Sequence, residues 1–167
     1  MDEIRNRVAE SKLITVDLED YYPEGPRKVI DISQWLYEGL LLREKEFRAA
    51  LKEVDWSVYE GAYVALHCTT DAIVPAWAFM LIAANLSPYA LKTVKGSAEA
   101  LESALYQEVI ADLDLEYTRD MPVIVKGCSN KPVPENAYLF LIKRLQPLAK
   151  SIMYGEACSS VPLYKRR

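Results

Sequence analysis

A chain of 167 residues, 51% hydrophobic and 26% charged, has the balance of an ordinary globular protein and is long enough to bury a core without disulfide staples. Its net charge of −4, from 24 acidic and 20 basic side chains, argues against the concentrated basic surface that nucleic acid requires. The only basic run is the terminal Lys165-Arg166-Arg167, so no nucleic-acid partner is expected.

Residues 2–10 read as a short polar helix with no apolar signal core behind it. Lys12 to Leu18 alternates apolar and polar, the period of a half-buried strand, and stops at the turn Tyr22-Pro23-Glu24-Gly25-Pro26. Arg27 to Ile32 alternates again, and the two runs are expected to pair as antiparallel neighbours across that turn. Ser33 can cap a helical turn through Trp35, and a helix follows from Leu42 to Val54 with Arg43, Glu44, Lys45 and Glu46 on its wet side.

From Ala62 the pattern becomes regular. Strands are expected over Ala62–His67, Leu91–Val94, Met121–Lys126 and Ser151–Tyr154. Helices are expected over Pro75–Leu86, buried on most sides, over Ala98–Leu113 capped by Ser97, and over Glu135–Leu145. The apolar stretch from Ala72 to Leu86 contains Pro75 and Asn85 and falls short of the roughly 20 residues of a membrane span, so no membrane partner is expected.

Strand–helix alternation predicts parallel strands with right-handed crossovers. The expected fold is α/β: one small three-layer domain over 1–167, with a mostly parallel sheet of about four strands in 61–167. A cover segment over 1–60 adds the N-terminal strand pair and a helix.

The three cysteines carry the functional expectation. Cys68 follows the first strand of the regular half, Cys128 the third, and Cys158 the last. In one parallel sheet all three would lie at the carboxyl edge, where ligands bind, and a flavodoxin-like order would make the first and third strands neighbours. Each cysteine is followed by two small polar residues and, within a few positions, a proline, a faint internal echo. Taken singly, each could be a small buried hydrophobe.

Together they suit a metal, zinc or iron, held by Cys68, Cys128 and Cys158. His67, Asp71 and Glu156 are candidates for a fourth ligand. Strand geometry weakens His67, because neighbouring side chains in a strand point to opposite faces. No C-x-x-C pair, phosphate loop or nucleophile elbow is present. An odd cysteine count without a small secreted framework fits a reducing compartment, and the cytoplasm is the expected location.

The segments K-G-C-S-N-K-P-V-P-E-N-A-Y (126–138) and Y-G-E-A-C-S-S-V-P-L-Y-K (154–165) carry a resemblance. So do L-I-T-V-D-L-E-D-Y-Y-P (13–23) and D-A-I-V-P-A-W-A-F-M-L (71–81). With them the chain resembles an uncharacterised bacterial domain-of-unknown-function family, the one numbered twenty-four eighty. The resemblance implies no activity. It does imply a gene neighbourhood close to iron–sulphur cluster assembly, and hence iron–sulphur assembly proteins as partners.

The expected function is therefore a metal-binding accessory protein. Two alternatives are a non-catalytic interaction module, such as a homodimer with incidental cysteines, and a thiol protein cycling through a persulfide or disulfide.

Overall fold

The computed structural model describes residues 12–127 and 130–167. The polar helix expected over 2–10 and the metal ligand expected at Cys128 lie outside the described residues. Within them, seven strands are named β1 (Ile14–Val16), β2 (Arg27–Asp31), β3 (Tyr63–His67), β4 (Lys92–Lys95), β5 (Pro122–Val125), β6 (Ser151–Glu156) and β7 (Ser159–Lys165). The helices are α1 (Glu44–Lys52), α2 (Ala76–Leu86), α3 (Ala98–Asp112) and α4 (Glu135–Leu145).

The α/β class and the parallel pairing hold, but the strands form two sheets. One has the order β2-β3-β4, all parallel; the other runs β1-β5-β6-β7, parallel except for the antiparallel β6–β7 hairpin. The expected antiparallel pair of β1 and β2 is not formed: β1 pairs with β5 and β2 with β3. Both runs have the right period. The Pro23-Glu24-Gly25-Pro26 segment, however, carries the chain from one sheet to the other instead of folding it back.

The chain divides into two compact units, one nested in the other: Glu24–Ala104, and Met1–Pro23 joined with Leu105–Arg167. The strand–helix alternation of 61–167 is thus shared between them, and α3 starts in the nested unit and ends in the split one. In the nested unit Ile30, Val64 and Leu66 of the sheet pack on Phe47 and Leu51 of α1 and on Ala78, Ile82 and Leu86 of α2. In the split unit Val16, Val123, Val125 and Ile152 pack on Tyr106 and Ile110 of α3 and on Ala137, Leu141 and Leu145 of α4. Successive right-handed crossovers that step in one direction leave both helices on one face, so each unit is a sheet with a two-helix layer.

The two units are copies of one design. The shift that carries Ala76 onto Glu135 carries the whole of α2 onto α4, and β4 onto the first four residues of β6. The same shift carries Phe47 onto Tyr106, Leu51 onto Ile110, Ile82 onto Leu141 and Leu86 onto Leu145, all of them buried. Strand register agrees as well: Tyr63 faces Lys92 as Pro122 faces Ser151, and Leu66 faces Lys95 as Val125 faces Tyr154.

The connections repeat too. Asp55 and Asp114 each accept a bond from the backbone N–H two residues on, at 3.1 and 2.9 Å. Gly61 and Asp120 take the same left-handed turn, with φ of 68° and 58°; glycine and aspartate are among the residues that tolerate that region.

Local signals read well elsewhere. Ser97 caps α3 by accepting from the Ala100 N–H at 3.1 Å. The apolar run of α2 buries a single stripe, Ala78, Ile82 and Leu86, and leaves Met80 exposed, which departs from the expectation of burial on most sides. The hairpin strand β7 escapes a sequence reading because Pro162 interrupts its pattern.

Candidate ligand site at the carboxyl edge of the nested sheet

The cysteines do follow strand ends, but not of one sheet. Cys68 follows β3 in the nested unit. Cys158 lies in the split unit, exposed in the two-residue Ala157-Cys158 turn between β6 and β7. Their placement at one edge of one sheet is thereby corrected, since it assumed that the strand alternation built a single sheet. Among the described residues, no group of three or more His, Cys, Asp or Glu side chains is arranged to hold a metal ion. Asp71 and Glu156 are both exposed. His67, the last residue of β3, is half-buried and stands opposite Asp31 in register.

Cys68 is half-buried, with its Sγ 3.3 Å from the Thr70 hydroxyl. Thr70 already donates its proton to the Gly39 carbonyl at 2.6 Å. The Cys68 S–H is therefore left as the donor in that pair.

Beside it, Asp31 ends β2 and organises the strand ends. Its carboxylate accepts from the Thr69 hydroxyl at 2.6 Å, the Thr69 N–H at 3.2 Å and the Ser33 N–H at 3.0 Å. Those bonds, that of the Thr69 hydroxyl above all, hold the Asp31 carboxyl well below the usual carboxylate range. A folded-state value below the unfolded one, about 3.9, gives stability that is complete above that pH and lost as pH falls below it. Asp31→Ala is expected to cost about 1–2 kcal/mol at pH 7. In chemical denaturation followed by tryptophan fluorescence, the gap to wild type narrows as pH falls below about 4. A gap independent of pH would refute this role for the carboxylate.

Above this network, at the ends of β3 and β4, a cavity of about 270 Å³ opens. His67, Cys68, Thr70, Val74, Phe79 and Lys95 are among its lining residues, none of which is acidic. The Lys95 ammonium lies 4.9 Å from the centre of the Phe79 ring, and among the described residues no carboxylate pairs with it.

The corresponding place in the split unit is built differently. By the repeat, Tyr154 stands for Lys95, Tyr138 for Phe79 and Gly127 for Cys68. The Tyr154 ring packs edge-on against Tyr138, centroids 5.7 Å apart, and its hydroxyl donates to the Gly127 carbonyl at 3.3 Å. A Cβ on Gly127 would meet that ring at 2.9 Å, so the tyrosine needs glycine beneath it. One unit thus sets a phenol ring at the strand end where the other sets a lysine beside a cavity.

The larger hollow, about 580 Å³, lies in the split unit between α3 and α4 and includes Ile110, Ala111, Phe140 and Arg144 in its lining. Arg144 is committed there: its guanidinium donates to the carbonyls of Ile110, Ala111 and Leu113 at the end of α3. The same shift maps a smaller hollow onto it in the nested unit, lined by Arg48, Leu51, Lys52, Leu81 and Asn85. A groove that recurs in both copies follows from the helix spacing. The carboxyl edge is lined by different side chains in the two copies, and the cavity there in the nested unit is the better candidate site.

Sequence reasoning singled out His67 and Cys68 but missed Phe79 and Lys95. The signal was available in V-P-A-W-A-F (74–79) and V-P-E-N-A-Y (133–138), followed by Gly96 and Gly155 in step. The cysteine echo shadows the same repeat one position out of register, since Cys68 corresponds to Gly127 and not to Cys128.

A family model described as "Protein of unknown function (DUF2480)" matches residues 2–166. No curated protein and no solved structure matches the chain.

Proposed function

The chain belongs to that family, which brings no activity with it, and we propose from its own residues that it is a non-catalytic binding protein whose ligand site is the carboxyl-edge cavity of the nested unit. The observation that carries this reading is the contrast between the two copies: the same strand ends hold Tyr154 over Gly127 in one and an open hollow over Cys68 in the other. Concave pockets that combine apolar lining with a few convergent polar groups are the usual ligand sites. A cavity lined by His67, Thr70 and Lys95 offers polar groups on an apolar floor of Val74 and Phe79.

The test copies the filled unit into the open one. The double variant Cys68→Gly with Lys95→Tyr should fold as wild type does and set a ring across the cavity. Ligand-observed NMR with a fragment library spanning acids, bases and neutral rings should give hits for wild type that vanish for the double variant. Hits retained in the double variant, or none with wild type, would overturn the reading.

Metal content separates this reading from the three-thiol one. Stoichiometric zinc or iron in protein purified without added metal, lost in each single Cys→Ser variant at 68, 128 and 158, would favour the metal-binding accessory role and its iron–sulphur partners. Cytoplasmic residence fits the binding reading equally well. Cys68 and Cys158 are both free thiols, the state a reducing compartment preserves. Among the described residues, no helix is long and apolar enough to cross a membrane.

A further inference from the structure

Resting on that reading of the cavity, we infer its ligand class: a small aromatic carboxylate. The first part of the inference comes from the copy. In the split unit the equivalent ground is covered by a phenol ring set edge-on, at 82°, to Tyr138. Its counterpart in the nested unit is the half-buried Phe79, so the aromatic wall is kept, and the exposed Lys95 ammonium lies over that ring where the split unit sets its phenol. A planar ring that displaces the Lys95 ammonium from Phe79 finds the same edge-to-face partner, an arrangement favoured by the quadrupoles of both rings.

The second part is charge. Where the filled copy has the neutral Tyr154, the open copy has Lys95, whose ammonium rests over Phe79 at 4.9 Å without a carboxylate partner among the described residues. No acidic side chain lines the cavity, so its fixed charge is positive. A carboxylate on the ring gains the lysine as a charge-assisted donor. Thr70 is placed on the same wall, although its proton is already given to Gly39. The Thr70 oxygen therefore offers an acceptor only, which suits a hydroxyl on the ligand.

Size sets the last limit. A cavity of about 270 Å³ falls just below the usual range for ligand pockets, roughly 300–1,000 Å³, and so suits a small ligand.

Three probes decide it, each titrated by calorimetry into the full chain: benzoate, its neutral analogue benzamide, and the aliphatic anion butyrate. Benzoate should bind at least tenfold more tightly than either of the others. Lys95→Gln should erase its advantage over benzamide while leaving benzamide binding within about twofold. Bound benzoate should also slow alkylation of Cys68 by iodoacetamide, read peptide by peptide, and leave Cys158 unchanged.

Equal binding of benzoate and benzamide would overturn the carboxylate, and equal binding of benzoate and butyrate would overturn the ring. If all three probes fail while other fragments bind wild type and not the Cys68→Gly, Lys95→Tyr variant, the ligand class is wrong and the site stands. If nothing binds that the double variant loses, the site itself falls. Should the double variant not fold, Lys95→Gln together with Cys68 protection carries the same decision.

Discussion

Truncating Ile82 to alanine is expected to remove about 3–4 kcal/mol of stability, and truncating Leu141 to remove a similar amount. Both side chains are fully buried, each midway along the helix that joins two parallel strands of its sheet. Ile82 packs within the cluster of Val64, Leu66 and Phe47; Leu141 packs within that of Val123, Val125 and Tyr106. The loss has two parts, the transfer free energy of the deleted carbons and the cavity left where the sheet cannot close up.

Because the two residues occupy one position in two copies, their costs should agree within about 2 kcal/mol, the spread that local relaxation introduces. Chemical denaturation of the two variants measures this. A cost below about 1 kcal/mol at either site would show that the position is not a core position of its unit.

Glu102→Ala is expected to cost about 2 kcal/mol, more than a surface ion pair would. Its carboxylate meets Arg27 in two parallel bonds, Nε to Oε1 at 2.7 Å and a terminal guanidinium nitrogen to Oε2 at 3.2 Å. The side chains are only 19% and 13% exposed, so solvent screens the pair poorly, although not so little as in a closed core. Arg27 also donates to the Gly25 carbonyl at 2.8 Å and lies 5.1 Å from the centre of the Tyr63 ring.

Deleting Glu102 alone leaves the guanidinium held in that place without its carboxylate. Replacing both, as Arg27→Met with Glu102→Leu, removes the stranded charge and should recover at least half of the loss. A double variant as unstable as the sum of the two single changes would refute a coupled pair.

These two variants bear on how much of the molecule could be read from residue order. The stripe Ala78, Ile82, Leu86 and its counterpart Ala137, Leu141, Leu145 were legible as helices, and α4 falls on the expected bounds Glu135–Leu145. The Arg27–Glu102 pair was not legible, because its partners stand far apart in sequence and only the folded nested unit brings them together. The site shows the same division. His67 and Cys68 stood out because their residue types carry chemistry. Phe79 and Lys95 did not, since an aromatic on an apolar helix and a lysine at a strand end are ordinary by themselves. Their meaning comes from Tyr138 and Tyr154 at the same places in the other copy.

Residue order by itself determined the local elements: periods of two and of 3.6, the Ser97 cap, and the break in regular structure at Pro23-Glu24-Gly25-Pro26. These are properties of neighbours in the chain, and neighbours suffice to define them. Only the tertiary structure decided that the strands form two sheets, that β1 joins β5 across the whole nested unit, and that Cys68 and Cys158 belong to different units. Strand pairing depends on which apolar faces can be buried together, and that choice is made between segments far apart in sequence. The alternating run of β1 satisfies either partner equally well until the helices that cover each sheet are in place.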